Sequence, residues 1–356
     1  MKAARYYGPG DIRVEQVAEP TPKNGQVKIK VRRYVVCGSD LHAYLARISL
    51  YATEDVPNSI TGEVLPITLG HEFSGTITEV GEDVDSKLTA GQNVVVEPLI
   101  SCMKTSTCRS CASGSRNVCP DINFYGIGGN GGMANFIVVD QFYVHVLPDN
   151  VPLDIGALVE PLSVAWHGVK RSGFKEGDTA LVLGAGPIGI LVLKVLLGLK
   201  ASKIIVSEPS TARGALALKI GATQVINPLK ADLAAVAHSL TDGAGVDVAY
   251  DCVGIQSSID AGIASVRPRG TVVNLALWEK NPVIDMNLLL MKEIILTGII
   301  GYDRVHEDVI HAIASGQLSN LEDLITSKIA IEDVVEEGFK KLIREKDTQI
   351  KILVHP

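Results

Sequence analysis

Along roughly the first 150 residues, apolar and polar positions alternate in short runs separated by turn residues. Segments 26–36, 67–80, 92–97 and 136–147 read this way, and strands so spaced predict a compact, mostly antiparallel β-domain. From about residue 156 the rhythm changes to an apolar strand followed by a helix-length amphipathic stretch, repeated. Residues 179–183, 203–207, 246–251 and 270–275 are short and β-rich, while 188–197, 211–220 and 229–240 carry helical patterns. That alternation predicts βαβ units around a doubly wound parallel sheet with helices on both faces. Further on, 304–315 and 331–345 look helical and 349–354 reads as a final strand, whose terminal position fits a return to the first domain. The chain is therefore expected to be an α/β protein of two domains, residues 1–156 completed by 299–356, and residues 157–298.

Length agrees with the division, because 356 residues exceed what one hydrophobic core usually organises. A composition 46% apolar and 21% charged excludes a disordered or fibrous chain. The formal charge of -7 argues against a general nucleic-acid binder, since counterion release needs a basic surface. The N-terminus has no apolar run of signal-peptide length, and no segment offers about 18 uninterrupted apolar residues. A cytoplasmic protein with small-molecule partners, and neither nucleic acid nor membrane, is the expectation. Of six cysteines, four crowd between Cys102 and Cys119, a clustering that suggests metal rather than disulfides.

Two constellations carry chemistry. The first is Gly184-x-Gly186-x-x-Gly189, set directly after a strand and before an apolar helix. Alone the pattern is weak, but here Gly184 permits a tight turn, Gly186 leaves room for a pyrophosphate, and Gly189 lets the helix lie against the sheet. The helix N-terminus then faces the phosphates. Glu208 closes the next strand, where a carboxylate can accept hydrogen bonds from the ribose hydroxyls of NAD. Arg213 lies five residues on, in reach of a phosphate in principle, but with the acid in the way it is expected to pack near the adenine. The plainer reading is a glycine-rich turn with Glu208 a solvated acid.

The second constellation is a donor set: Cys37, which follows a strand, His71 and Glu72, and Glu160 at the start of the second domain. Thiolate, imidazole and carboxylate all bind zinc, and a catalytic zinc keeps three protein ligands and an open position. Cys37, His71 and one of Glu72 or Glu160 would supply that set. Singly, each has a duller reading: Cys37 as a small buried group, His71 as a core histidine, Glu160 as a surface acid.

Cys37-x-Ser39-x-x-His42, Gly70-His71-Glu72, the cysteine cluster, Leu158-Val159-Glu160-Pro161 and the glycine turn occur in the order and spacing of zinc-containing medium-chain alcohol and polyol dehydrogenases. The resemblance covers essentially the whole chain. It looks most like the butanediol-dehydrogenase branch, through the segment from Tyr44 to the Thr61-Gly62 turn, Gly298-Ile299-Ile300-Gly301-Tyr302, and the C-terminal residues from Glu336. It implies a GroES-like β-domain holding the catalytic zinc and a Rossmann domain holding NAD, with the active site in the cleft between them. It also implies that Cys37 and His71 are zinc ligands, that Glu72 and Glu160 are acids at the metal with the coordinating one left open, and that Ser39 and His42 form a proton relay. A homodimer or homotetramer is expected from the same source.

Cys102, Cys108, Cys111 and Cys119 have five, two and seven residues between them, where the family pattern has two, two and seven. The extra residues fall within 103–107, where a run of polar residues can bulge outward and leave four thiolates for one structural zinc. Otherwise Cys102 is free and the lobe is without metal or held by three thiolates.

The resulting expectation is a zinc- and NAD-dependent secondary-alcohol dehydrogenase acting on a short vicinal diol or hydroxyketone of the 2,3-butanediol and acetoin type. Zinc lowers the pKa of a bound alcohol, and NAD accepts the hydride. Sorbitol, xylitol or threonine dehydrogenase are the rivals within the class. From another class, the rival is a non-catalytic nucleotide-binding protein, which should have lost ligands that are present here.

Overall fold

A computed structural model describes residues 1–46 and 51–356. The branch-specific segment from Tyr44 to the Thr61-Gly62 turn runs through residues 47–50, which lie outside the described residues. The chain divides into two compact units. One comprises Met1–Glu160, His306–Ser315 and Asn320–Pro356, the other Pro161–Val305 and Gly316–Ser319.

The first unit is built on a seven-stranded sheet. Its spatial order is Val144–Val146, Asn93–Val96, Glu72–Val80, Gln26–Val35, Lys351–His355 and Ile325–Ala330, with Phe136–Asp140 also paired to Gln26–Val35. All pairs are antiparallel except the last two strands. Val27, Ile29 and Val31 point alternately into the core, as the period of two requires. Lys28 between them is buried too, its ammonium held by Glu19 and Glu79. The last strand pairs Leu353 with Val35, so the C-terminus returns to the first sheet as its position suggested.

Several expected elements are divided. Segment 67–80 breaks after Ile67–Thr68, because Gly70 has φ +96° and turns the chain before Glu72–Val80 begins. Segment 136–147 is interrupted by a 3₁₀ turn at Gln141–Tyr143, where the Asp140 side chain accepts the Phe142 N–H at 2.9 Å. The expected helix 331–345 is a 3₁₀ turn, a π-helical stretch Val334–Lys340 and a short α-helix; the wider turn brings Val334, Gly338 and Phe339 into the core together. An N-terminal hairpin, Lys2–Gly8 with Asp11–Gln16, was not foreseen, although Gly8-Pro9-Gly10 is a clear turn signal.

The second unit holds six strands, all parallel. Their spatial order is Gln224–Ile226, Lys203–Ser207, Thr179–Leu183, Val246–Asp251, Val266–Asn274 and Ile295–Gly298, so the third, second and first are followed by the fourth, fifth and sixth. This is the doubly wound dinucleotide-fold order. Helix Pro187–Gly198 is apolar around its circumference apart from Lys194 and is buried from Gly189 to Leu196, which explains its lack of an amphipathic stripe. Segment 229–240 becomes helical only at Leu233, since the Asp232 side chain caps it through the Ala235 N–H at 3.1 Å. Among the described residues, no helix is long and apolar enough to cross a membrane.

Candidate active site

Sheet register gathers the donor set. Val35 pairs with Glu72, and the strand Lys351–His355 lies on the other side of Val35. Two residues beyond Val35, Cys37 precedes helix Gly38–Leu45, whose Asp40 accepts the Cys37 backbone N–H at 3.1 Å. The turn at Gly70 delivers His71 to the same place. One ligand atom each of Cys37, His71 and Glu72 lie within 4.8 Å of one another. His71 and Glu72 are buried. Glu160, also buried, begins helix Val159–Arg171 in this unit, and its charge acts on both His71 and Lys351.

Each charge here has a partner that offsets its desolvation. Lys351 Nζ donates to both oxygens of Glu72 at 2.7 Å, with both side chains almost fully buried. Burial opposes the ammonium, yet Glu72, Cys37 and Glu160 hold it above the ordinary lysine range. Burial likewise opposes imidazolium at His71, but Asp40, with Oδ1 3.6 Å from Nδ1, and Cys37 outweigh it and raise the group well above the histidine range. Burial and the neighbouring Glu72 push the Cys37 thiol up. The residues fit a divalent cation: thiol, imidazole and carboxylate converge in one knot, with Asp40 set behind His71 at Nδ1.

Ser39 Oγ lies 3.0 Å from His71 Nε2, in contact with the imidazole of the knot. His42 is one helical turn further along Gly38–Leu45 and exposed. The pair therefore runs from the buried donor set to solvent along one helix face.

The cysteine lobe closes on itself. Cys102 and Cys111 sulfurs are 3.7 Å apart, Cys108 and Cys119 3.9 Å, and Cys119 and Cys102 3.5 Å. Bonds of about 2.3 Å to a tetrahedral zinc place sulfurs roughly 3.8 Å apart, so the four thiols fit one ion. Residues 103–107 are exposed, and the turn they make is closed by the Cys108 N–H donating to the Lys104 carbonyl at 2.8 Å. The insertion thus leaves the fourth sulfur in reach.

In the second unit, the three glycines have separate steric reasons. Gly184 has φ +90°, and a Cβ there would stand 2.6 Å from Val253. A Cβ at Gly189 would fall 1.8 Å from the Gly184 carbonyl oxygen, whereas one at Gly186 would meet only Arg213 Nη1 at 3.9 Å. The helix Pro187–Gly198 starts beside this open space, a place suited to phosphate. Glu208 is buried and accepts the Ala185 N–H and the Ser210 N–H, each at 2.8 Å, so it ties the strand end to the glycine turn. Arg213 turns its guanidinium toward Gly186.

Residues 23–149 match the alcohol dehydrogenase GroES-like domain, and residues 187–315 match the zinc-binding dehydrogenase domain. The chain is 40% identical to (R,R)-butanediol dehydrogenase of Neisseria gonorrhoeae, over all of this chain and 99% of that one. It is 39% identical to the enzyme of the same name from Bacillus subtilis, over the full length of both. The crystal structure of 2R,3R-butanediol dehydrogenase from Bacillus subtilis superimposes with a TM-score of 0.93 at 38% identity, covering 100% of this chain and 99% of that chain. The chain belongs to the zinc-binding alcohol dehydrogenase family. As a member, it carries the GroES-like and Rossmann folds expected from sequence.

Sequence reasoning missed two side chains of this dehydrogenase's buried knot, Asp40 and Lys351. Lys351 stands in the otherwise apolar run Ile350 to Val354, and a lysine within a buried strand signals a buried partner. Asp40 occupies the third helical position after Cys37, where an acid commonly caps. Tyr51, also unforeseen and buried, donates to Asp40 Oδ1 at 3.3 Å.

Proposed function

We propose that this dehydrogenase interconverts a short vicinal diol, or a related secondary alcohol, and its ketone, with NAD as the hydride acceptor. The observation that carries the reading is the Cys37–His71 pair, with Glu72 and Glu160 acting on it and Ser39 hydrogen-bonded to the imidazole. Full-length likeness to proteins named butanediol dehydrogenase supports the diol as substrate class.

Cys37, His71 and Glu160 are the proposed holders of a zinc ion. Glu160 is preferred to Glu72 because Lys351 already engages both Glu72 oxygens. When bound, zinc supplies Lewis acidity that eases deprotonation of an alcohol. Asp40 fixes the orientation of His71 from behind. Ser39 accepts the hydroxyl proton of the substrate as it gives up its own, which leaves by way of His42 to solvent. Cys102, Cys108, Cys111 and Cys119 hold a second, structural zinc.

In the dinucleotide unit, Gly184, Gly186 and Gly189 admit the pyrophosphate, and Arg213 neutralises part of its charge. Glu208 selects NAD, because the 2′-phosphate of NADP would meet a buried carboxylate. NAD supplies the hydride acceptor. Residues 1–156 with 299–356 act as the catalytic domain and 157–298 as the dinucleotide domain.

The protein works as a cytoplasmic homo-oligomer in this reading. The edge strand Ile295–Gly298 and the helix Met286–Lys292 leave Met286, Leu290, Met291 and Ile295 exposed, an apolar edge suited to a second copy.

The test is a panel of 2,3-butanediol stereoisomers, acetoin, sorbitol, xylitol and L-threonine with NAD and NADP. A 2,3-butanediol with NAD should give the highest kcat/KM. Preference for sorbitol, xylitol or threonine would reassign the substrate, and no turnover of any would support a nucleotide-binding role instead.

A further inference from the structure

A third group of donors, sharing no residue with the donor set at Cys37 or with the cysteine lobe, lies in the first unit. Glu97 follows strand Asn93–Val96, and its backbone N–H donates to the Tyr143 carbonyl at 2.8 Å. His145 is in the neighbouring strand Val144–Val146, opposite Val95. His306 opens helix His306–Ala314, which the chain reaches after completing most of the second unit. Glu97 and His306 are buried and His145 nearly so.

The two imidazoles stack with ring centroids 5.3 Å apart and planes 15° from parallel. Glu97 Oε2 lies 3.5 Å from His145 Nε2 and 3.8 Å from His306 Nδ1. One ligand atom from each residue falls within 4.8 Å of the others. His145 Nε2 is buried with no hydrogen-bond partner, so the carboxylate faces this ring without bonding to it. Such spacing suits an ion better than direct contact. Bonds of about 2.0–2.1 Å to nitrogen and oxygen put the ligand atoms of a tetrahedral ion roughly 3.3–3.4 Å apart. The two separations from the carboxylate, 3.5 and 3.8 Å, exceed this by about 0.1–0.5 Å, and the two ring nitrogens lie within 4.8 Å of each other.

On its other side, His145 Nδ1 is 3.8 Å from the exposed carboxylate of Glu307, the outer arrangement common behind a metal-bound imidazole. His145 and Glu307 also line an open groove of about 740 Å³, which gives solvent a route to the cluster.

We propose that Glu97, His145 and His306 form a further divalent-cation site, of two imidazoles and one carboxylate, which takes zinc or a similar first-row transition ion. Its ligands come from a strand end, a second strand and a helix start distant in sequence. An ion there would pin the returning helix to the sheet and serve stability rather than hydride transfer.

The test uses the tag-free, full-length protein, saturated with zinc, desalted and analysed for metal per chain. His145→Phe and His306→Phe, each keeping a flat ring in the stack, should hold one zinc fewer than the wild type and melt at lower temperature. In the cobalt-loaded protein, both variants should lose a visible band without losing thiolate-to-cobalt charge transfer, which belongs to the cysteine sites. If His306→Phe does not fold, the partly exposed His145→Phe decides the matter. Equal zinc content and equal cobalt spectra in wild type and His145→Phe would overturn the site.

Discussion

The buried knot gathers Cys37, Asp40, His71, Glu72, Glu160 and Lys351 from widely separated stretches of chain, with Lys351 and Glu72 279 residues apart. The glycine turn is one short segment, tied down by Glu208 from the next strand. The knot depends on sheet register and on charges cancelling one another in a buried place. The turn depends on the absence of side chains, Gly189 above all, where a Cβ would strike the Gly184 carbonyl. A defect in one should therefore leave the other working.

The largest effect tests that separation. His71→Ala or Cys37→Ala should abolish diol oxidation and lose one zinc per chain, while NADH affinity by fluorescence titration stays within about twofold, well under 1 kcal/mol. Gly189→Ala should do the reverse, losing NADH binding at full zinc content. A Cys37→Ala protein without NADH binding would show that the two sites are not independent.

Within the knot, Ser39→Ala should lower kcat on the order of 10²- to 10⁴-fold, the usual range for a positioned proton-transfer group. His42→Ala should cost much less, because the side chain is exposed and solvent can replace it. Equal, negligible losses would mean the proton leaves by another path.

Lys351→Met leaves the Glu72 carboxylate buried without its cation, and breaking a buried pair costs about 3–5 kcal/mol. Urea melts should show that loss, and Glu72→Leu added to Lys351→Met should recover much of it. No recovery would mean that Lys351 stabilises the fold through something other than Glu72.

On the side of the turn, the effect is smaller. The wild type should favour NAD over NADP in kcat/KM by on the order of a hundredfold, from repulsion and lost hydrogen bonds at Glu208. Glu208→Ser should erode that ratio. Equal kcat/KM for the two cofactors in the wild type would show that Glu208 does not reach the ribose.

The same contrast explains what could be read from the chain alone. Gly184, Gly186, Gly189 and Glu208 lie in one βαβ stretch, so their spacing carries their geometry, and the strands 179–183, 203–207 and 246–251 fall where the apolar runs end. The cysteine lobe is legible for the same reason, its sulfurs spanning only residues 102–119. Lys351 with Glu72 is not legible, since a register across three strands brings them together. Nor is the meeting of Glu97, His145 and His306, which needs a helix returning from the other end of the chain. The direction of the Arg213 side chain, with Nη1 3.9 Å from where a Gly186 Cβ would stand, is likewise not given by spacing along the helix.

Hydride transfer by this chain is proposed to depend on a metal held by the Cys37–His71 knot, independently of dinucleotide binding. Its most direct test follows NADH formation from 2,3-butanediol before and after removal of zinc by a chelator, with NADH affinity measured on the same samples. Loss of turnover, restored by added zinc, with NADH binding retained throughout, is the predicted result. Undiminished turnover in protein shown to be free of zinc would contradict the account.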